Sequence, residues 1–144
     1  MKKIIKNYIT KYLLKYFNGS RRSKHYQYMR DHVRFYLFLR WLSEFVKNEE
    51  DTKHVTASIA SYMYCNNFSL PFTDIFVVGD VVCICTSRPG MWIGKAGSTL
   101  DEITKNINFN LAGKQTHNFK ITLLENTQSS VDDVFNYIKV LRNY

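Results

Sequence analysis

Residues 74–86 read DIFVVGDVVCICT, two β-branched apolar runs joined at Gly79-Asp80. Such runs favour extended backbone, and a glycine in the first central position suits a type II′ turn, so the segment predicts a tight antiparallel hairpin. A chain that carries this hairpin must build a sheet and cover it. With 144 residues, 45% hydrophobic and 15% aromatic, it has enough apolar side chain for a core. That length suits one domain, or a small domain with an appendage.

Helical patterns flank the hairpin. Glu49, Glu50 and Asp51 open a helix, because carboxylates favour the first turn and Val55, Ile59, Tyr62 and Met63 follow at helical spacing. Downstream, Ser98 and Asp101 are spaced like a capping pair for a helix bearing Leu100, Ile103 and Ile107. A further short helical turn is expected between Asn108 and Gly113. Phe119 to Leu123 alternates as a strand, and Ser130 with Asp133 caps a last helix with Val134, Phe135, Ile138 and Leu141. From residue 50 the expected order is helix, strand, strand, glycine loop, helix, strand, helix.

The N-terminal part reads as helical throughout. Ile4, Ile5, Tyr8, Ile9, Tyr12, Leu13, Tyr16 and Phe17 mark one face of a first helix, which Asn18-Gly19 stops. Met29, Val33, Leu37, Trp41 and Phe45 continue a four-residue spacing through the next segment.

Charge is concentrated in this region. Residues 1–30 carry nine basic groups and no acid, a net +9, whereas residues 31–144 carry 11 basic and 12 acidic groups, a net −1. Such asymmetry suggests an arm or helix that meets a polyanion. RNA, an anionic membrane surface, packing on the domain and organellar targeting all remain open for it. No uncharged apolar run approaches the roughly 18–20 residues needed to cross a bilayer, so a soluble protein is expected.

Several chemistries are excluded by spacing. Cys65, Cys83 and Cys85 are odd in number and no His/Cys set has zinc spacing, so they read as inert buried thiols in a reducing compartment, with no metal. His25, His32, His54 and His117 are scattered, with no serine or cysteine nearby in a nucleophile motif. In RPGMWIGKAGSTL, residues 88–100, three residues separate Gly90 from Gly94 and Ala96 follows Lys95. This breaks both the phosphate loop of nucleotide hydrolases and the dinucleotide fingerprint. No catalysis and no cofactor are expected.

What remains is Gly94-Lys95-Ala96-Gly97 between apolar residues and a helix start, with Ile93 before it and Leu100 after it. This resembles the KH family of single-stranded nucleic-acid binders, whose signature is I-G-x-x-G-x-x-[IL]. The longer run from Arg88 to Gly97 is similar to the type II subclass, as in the KH domain of the bacterial small-subunit ribosomal protein beside the mRNA entrance. Residues 1–48 do not visibly match that protein's start.

The resemblance implies an α+β fold: a type II KH-like three-stranded sheet over residues 49–144 with helices on one face, preceded by a basic, aromatic-rich helical extension over residues 1–48. It implies non-catalytic binding of about four unpaired nucleotides. Gly94, Lys95, Ala96 and Gly97 would hold the strand, and Met91, Trp92, Ile93, Ser98, Leu100 and Ile103 would form a groove for bases or, for Ile93, Leu100 and Ile103, its floor. Trp92 could either stack on a base or pack in the core. Arg88, Lys11, Lys15, Arg21, Arg22, Lys24 and Arg30 would add attraction, because residues 49–144 alone carry 8 basic against 10 acidic groups.

The expected partner is single-stranded RNA, in the first instance mRNA. A compact phage-encoded protein acting in host cytoplasm suits the asparagine-, lysine- and tyrosine-rich wording. The alternatives are a ribosomal or ribosome-associated protein on rRNA, mitochondrial if organellar, and a protein- or membrane-interaction module with a KH-like core.

Overall fold

A computed structural model describes residues 2–17, 26–30 and 42–125 of the chain. In order they form α1 (Lys2–Phe17), β1 (Tyr26–Arg30), α2 (residues 42–46) and α3 (Glu49–Asn66). Then follow β2 (Asp74–Val78), β3 (Val81–Thr86), α4 (Pro89–Ile93), a 3-10 turn (Lys95–Gly97), α5 (Ser98–Asn108) and β4 (Lys120–Glu125). Val33, Leu37 and Trp41 of the expected second helix, and all of the expected C-terminal helix, lie outside the described residues.

The hairpin forms as its residues predict. β2 and β3 pair antiparallel with Val78 opposite Val81, and Gly79 takes φ +60 while Asp80 is not among the positive-φ residues, the type II′ pattern. β4 pairs parallel with β3, Ile84 opposite Leu123, so β2, β3 and β4 make a mixed sheet. A parallel pair requires a crossover, and α4, the glycine loop and α5 supply it.

The three strands expected of residues 49–144 form, as a mixed sheet, but two features depart from expectation. Among the described residues a fourth strand is added from the N-terminal extension: Tyr26–Arg30 pairs parallel with β4, Tyr28 opposite Leu123, giving the order β1-β4-β3-β2. The segment expected to continue as helix is therefore extended at these five residues. Tyrosine is as much at home in a strand as in a helix, and the β4 edge offers a row of backbone partners that local periodicity does not record. Helices also cover both faces, not one. Ile75, Val77, Val82, Ile84, Ile121 and Leu123 face α3 and α5, forming a core with Val55, Ile59 and Ile107. Phe76, Val78, Val81, Cys83, Cys85 and Leu124 face the other way, under Leu13 of α1 and Leu42 of α2, with Ile9, Leu14 and Val46 at the margin.

Covering both faces explains why every residue of β3 is buried. Burial pushes the Cys83 thiol well above its usual range, with neighbouring Cys85 and Asp74 adding to the rise. Cys65 departs from the expectation of three buried thiols, since it is exposed on α3.

α3 begins as expected. Asn48 caps it, its side chain accepting from the Asp51 amide at 3.0 Å, and Asn67 ends it at φ 54. The same helix start protects the outer edge of the sheet. The Val77 amide donates to the Thr52 hydroxyl at 3.0 Å, and the Val77 carbonyl accepts from the Asn48 amide at 2.9 Å. An edge strand thus finds partners without another strand.

α3 and α5 are also joined by polar contacts. The Tyr62 hydroxyl donates to Glu102 Oε2 at 2.7 Å. Burial, then the hydrogen bond and the charge of Glu102, push the Tyr62 hydroxyl up to about 12. Asn108 closes the far end of α5, its side chain donating to the Phe119 carbonyl at 3.0 Å and accepting from the Phe119 amide at 2.7 Å. After Asn108, where a short helical turn was expected before Gly113, the chain instead forms a turn closed by a bridge between Phe109 and Gln115. The Asn108 carbonyl accepts from the Thr116 and His117 amides at 2.7 and 3.2 Å, partners on the returning chain in place of those a further helical turn would supply.

Candidate nucleic-acid interface

The platform beneath the glycine loop is built from three hydrogen bonds around Pro71 and Thr86. The Thr86 hydroxyl donates to the Pro71 carbonyl at 2.6 Å and accepts from the Arg88 amide at 3.1 Å. The Trp92 indole N–H donates to the same Pro71 carbonyl at 2.7 Å. Two donors on one oxygen lock the segment before β2 to the short helix after β3. Pro89 sits in the first turn of α4, where its fixed φ suits a helix start.

Gly94 then redirects the chain. Its amide donates to the Gly90 carbonyl at 3.0 Å, ending α4, and its backbone lies at φ 72, ψ −177. That region is open essentially to glycine alone. A Cβ here would overlap Thr99 Oγ1 and lie 2.7 Å from Thr99 Cβ and 2.9 Å from its amide nitrogen. Ala96 at φ 55 and Gly97 at φ 80 continue a left-handed path into α5. At Gly97 a Cβ would meet nothing within 4 Å, so this glycine answers to backbone angle and leaves an open approach to the main chain.

The expected Ser98–Asp101 capping pair is corrected accordingly. Gly97 occupies the cap position, Ser98 is the first helical residue, and no side chain caps α5. The left-handed entry places the backbone bend one residue earlier than the sequence pattern suggests.

Of the residues expected to bind, Lys95, Ala96, Met91 and Ser98 are exposed, while Ile93, Gly94 and Gly97 are half-buried. Arg88 is exposed beside them, its guanidinium 4.0 Å from the Met91 sulfur. Trp92, Leu100 and Ile103 are fully buried in the core: Trp92 takes the packing alternative, and Leu100 and Ile103 lie where a groove's floor would be, not its wall. Trp92 packs edge-on to Phe72 with ring centroids 6.3 Å apart. Stacking on a base would cost it both that contact and the Pro71 hydrogen bond.

Among the supporting basic residues, Lys11 is exposed on α1, across the sheet from α5. It therefore does not join the glycine loop. Lys15 and Arg30 are described as backbone in α1 and β1, and Arg21, Arg22 and Lys24 lie outside the described residues.

The structure adds a cleft that the sequence reading missed. Running from α5 to the 109–120 segment, it has a volume of about 580 Å³ and is lined by Asp101, Lys105, Phe109, Gln115, Asn118 and Lys120 among others. Phe109 is 41% exposed, an aromatic face open to solvent beside two lysines and two side-chain amides. Lys105 and Phe109 also border a second groove of about 730 Å³ between α5 and α3. The only sequence signal for the first cleft was that Asp101, Lys105 and Asn108 share a helix flank at spacings of four and three. Nothing local showed that residues 115–120 fold back beside them.

Two of the histidines taken as scattered also meet. His54 and His117 rings lie 4.8 Å apart, and His117 stacks on Phe119 at 4.8 Å. His54 Nε2 lies 3.2 Å from the Ile107 carbonyl, a hydrogen bond that requires the proton on that nitrogen. Their role is packing between α3 and the loop after α5. Among the described residues, no group of three histidine, cysteine or acidic side chains could hold a metal, and no helix is long and apolar enough to cross a membrane. Comparison with protein families, curated proteins and solved structures finds no match to this chain.

Proposed function

We propose that this chain binds single-stranded RNA, without catalysis, at the Gly94–Gly97 loop and along the flank of α5. One observation carries the reading: three positive-φ residues in four present an open backbone at the uncapped start of an eleven-residue helix, with Lys95 exposed beside it. Amides and the positive helix end favour a phosphate oxygen, and the missing Cβ at Gly97 lets a backbone approach a backbone. The order helix, strand, strand, glycine loop, helix, strand from Glu49 to Glu125 supports the resemblance to type II KH domains.

Bases of a strand held at the loop would pass along α5 toward Phe109, with Gln115 and Asn118 as hydrogen-bonding partners and Lys105 and Lys120 near the phosphates. The nine basic groups of residues 1–30 add attraction over distance. Unpaired mRNA suits this site better than folded rRNA, because splayed bases are needed to reach Phe109. The opposite preference, for structured RNA, would favour the ribosomal reading.

The test is a salt titration of binding to fluorescent single-stranded RNA, comparing wild type with Lys95→Asp, Ala96→Asp. Both positions are exposed, and aspartate tolerates the left-handed angles of Ala96, so the variant should fold. It should bind at least about tenfold more weakly. Equal binding over the whole salt range defeats the proposal.

A further inference from the structure

Among the described residues, α1 meets the sheet through one side. Leu13 is fully buried against Phe76, Val78 and their neighbours, with Ile9 and Leu14 beside it. The helix turns another set of apolar side chains outward: Ile4 is 72% exposed, Ile5 56%, Tyr8 76% and Tyr12 44%. At about 100° per residue these four fall within an arc of about 100°, so they form one continuous stripe along the first three turns. Ile4 and Tyr8, and Tyr8 and Tyr12, are four-residue neighbours.

Positive charge borders the stripe on one side: Lys11, exposed one turn beyond Tyr8, lies about 20° from Ile4 around the helix axis, whereas the exposed Lys3 and Lys6 lie on the opposite side. The first 30 residues contain no acid. α1 also lies across the sheet from the glycine loop, so this surface is not part of the RNA path proposed above.

We infer that the outward face of α1 docks on an anionic phospholipid bilayer. Isoleucine has neither a donor nor a π-face for nucleic acid, yet Ile4 and Ile5 are among the most exposed apolar residues of the chain. A second copy would set Lys11 beside like charge, with no acid in the first 30 residues to answer it. A bilayer of negative headgroups satisfies both features at once: acyl chains receive Ile4 and Ile5, tyrosines sit at the headgroup level, Lys11 pairs with a phosphate, and the net +9 of residues 1–30 attracts the surface. The sheet contact holds the helix in place while its outward side lies flat in the interface. The inference does not depend on the glycine-loop reading.

The experiment is co-sedimentation of the full chain with phosphatidylcholine vesicles, with and without phosphatidylserine, alongside fluorescent single-stranded RNA binding and sedimentation velocity. Wild type should pellet with the phosphatidylserine vesicles only. Ile4→Ser, Ile5→Ser alters exposed side chains and should bind them about tenfold more weakly with its circular dichroism melt unchanged. Lys95→Asp, Ala96→Asp should bind vesicles like wild type, which separates this result from the RNA result. The inference is overturned if wild type stays in solution with phosphatidylserine vesicles at low salt, or if the isoleucine variant binds them undiminished. It is equally overturned if that variant loses RNA affinity instead, which would make the face an RNA surface, or if it dissolves a wild-type dimer.

Discussion

Gly94→Ala should be the most damaging single methyl group that can be added to the glycine loop, and the comparison with Gly97→Ala shows why. At Gly94, alanine would have to adopt φ 72, ψ −177, a conformation costing about 1–3 kcal/mol for a residue with a Cβ. Its methyl would also overlap Thr99 Oγ1 and lie 2.7 Å from Thr99 Cβ, forcing the start of α5 to shift. Overpacking of that kind costs about 1–3 kcal/mol more. The expected total is about 2–6 kcal/mol.

At Gly97 the angle is φ 80, ψ 9 and the space is open. Left-handed alanine costs about 1–2 kcal/mol, offset by about 0.4–1 kcal/mol of unfolded-chain entropy, leaving about 0–1.6 kcal/mol. Equilibrium urea unfolding followed by far-ultraviolet circular dichroism measures both. Thr99→Ala in the Gly94→Ala background removes the hydroxyl but leaves the Cβ and the amide, so it should restore only part of the loss. If Gly94→Ala costs within about half a kcal/mol of Gly97→Ala, the steric argument is refuted.

Two further outcomes follow from side chains on the same scaffold. Tyr62 holds its proton more tightly when folded, about 12 against about 10 in an unfolded chain, so stability should be steady below pH 10 and fall as pH rises between about 10 and 12. Denaturation midpoints of Tyr62→Phe should lack most of that fall; an identical alkaline slope in both proteins would contradict it. In a Trp41→Phe background, Trp92 emission should resist iodide quenching and stay unchanged when RNA binds, because the ring is fully buried and bonded to Pro71. Quenching, or a shift on binding, would mean that the indole leaves the core.

Where the sequence reading failed, partners distant in the chain had taken over. The unbroken apolar run of β3 already carried the sign of a strand buried on both sides, since a strand with one wet face alternates. The expectation of helices on one face came instead from the resemblance to type II KH domains. Trp92 illustrates a different limit. Its neighbours in sequence place it beside an exposed loop, but the Pro71 carbonyl, 21 positions earlier, accepts its indole proton and turns it inward. The cleft at Phe109 depends on Asn108 binding Phe119 across the intervening loop, and no local pattern encodes that pairing.

What the sequence by itself determined is what local chemistry controls. The Gly79-Asp80 turn, the carboxylate-rich start of α3 at Asn48 and the glycine loop before α5 all follow from backbone angles and hydrogen bonds within a few residues. Only the tertiary structure decided which helix faces meet the sheet. It placed Tyr26–Arg30 against β4, buried Leu13 while leaving Ile4 and Tyr8 in solvent, and set α1 across the sheet from the loop. Those outcomes depend on which apolar surfaces find each other. Burial energy is non-directional, so the geometry of the assembled sheet, rather than the periodicity of any one helix, selects among the stripes on offer.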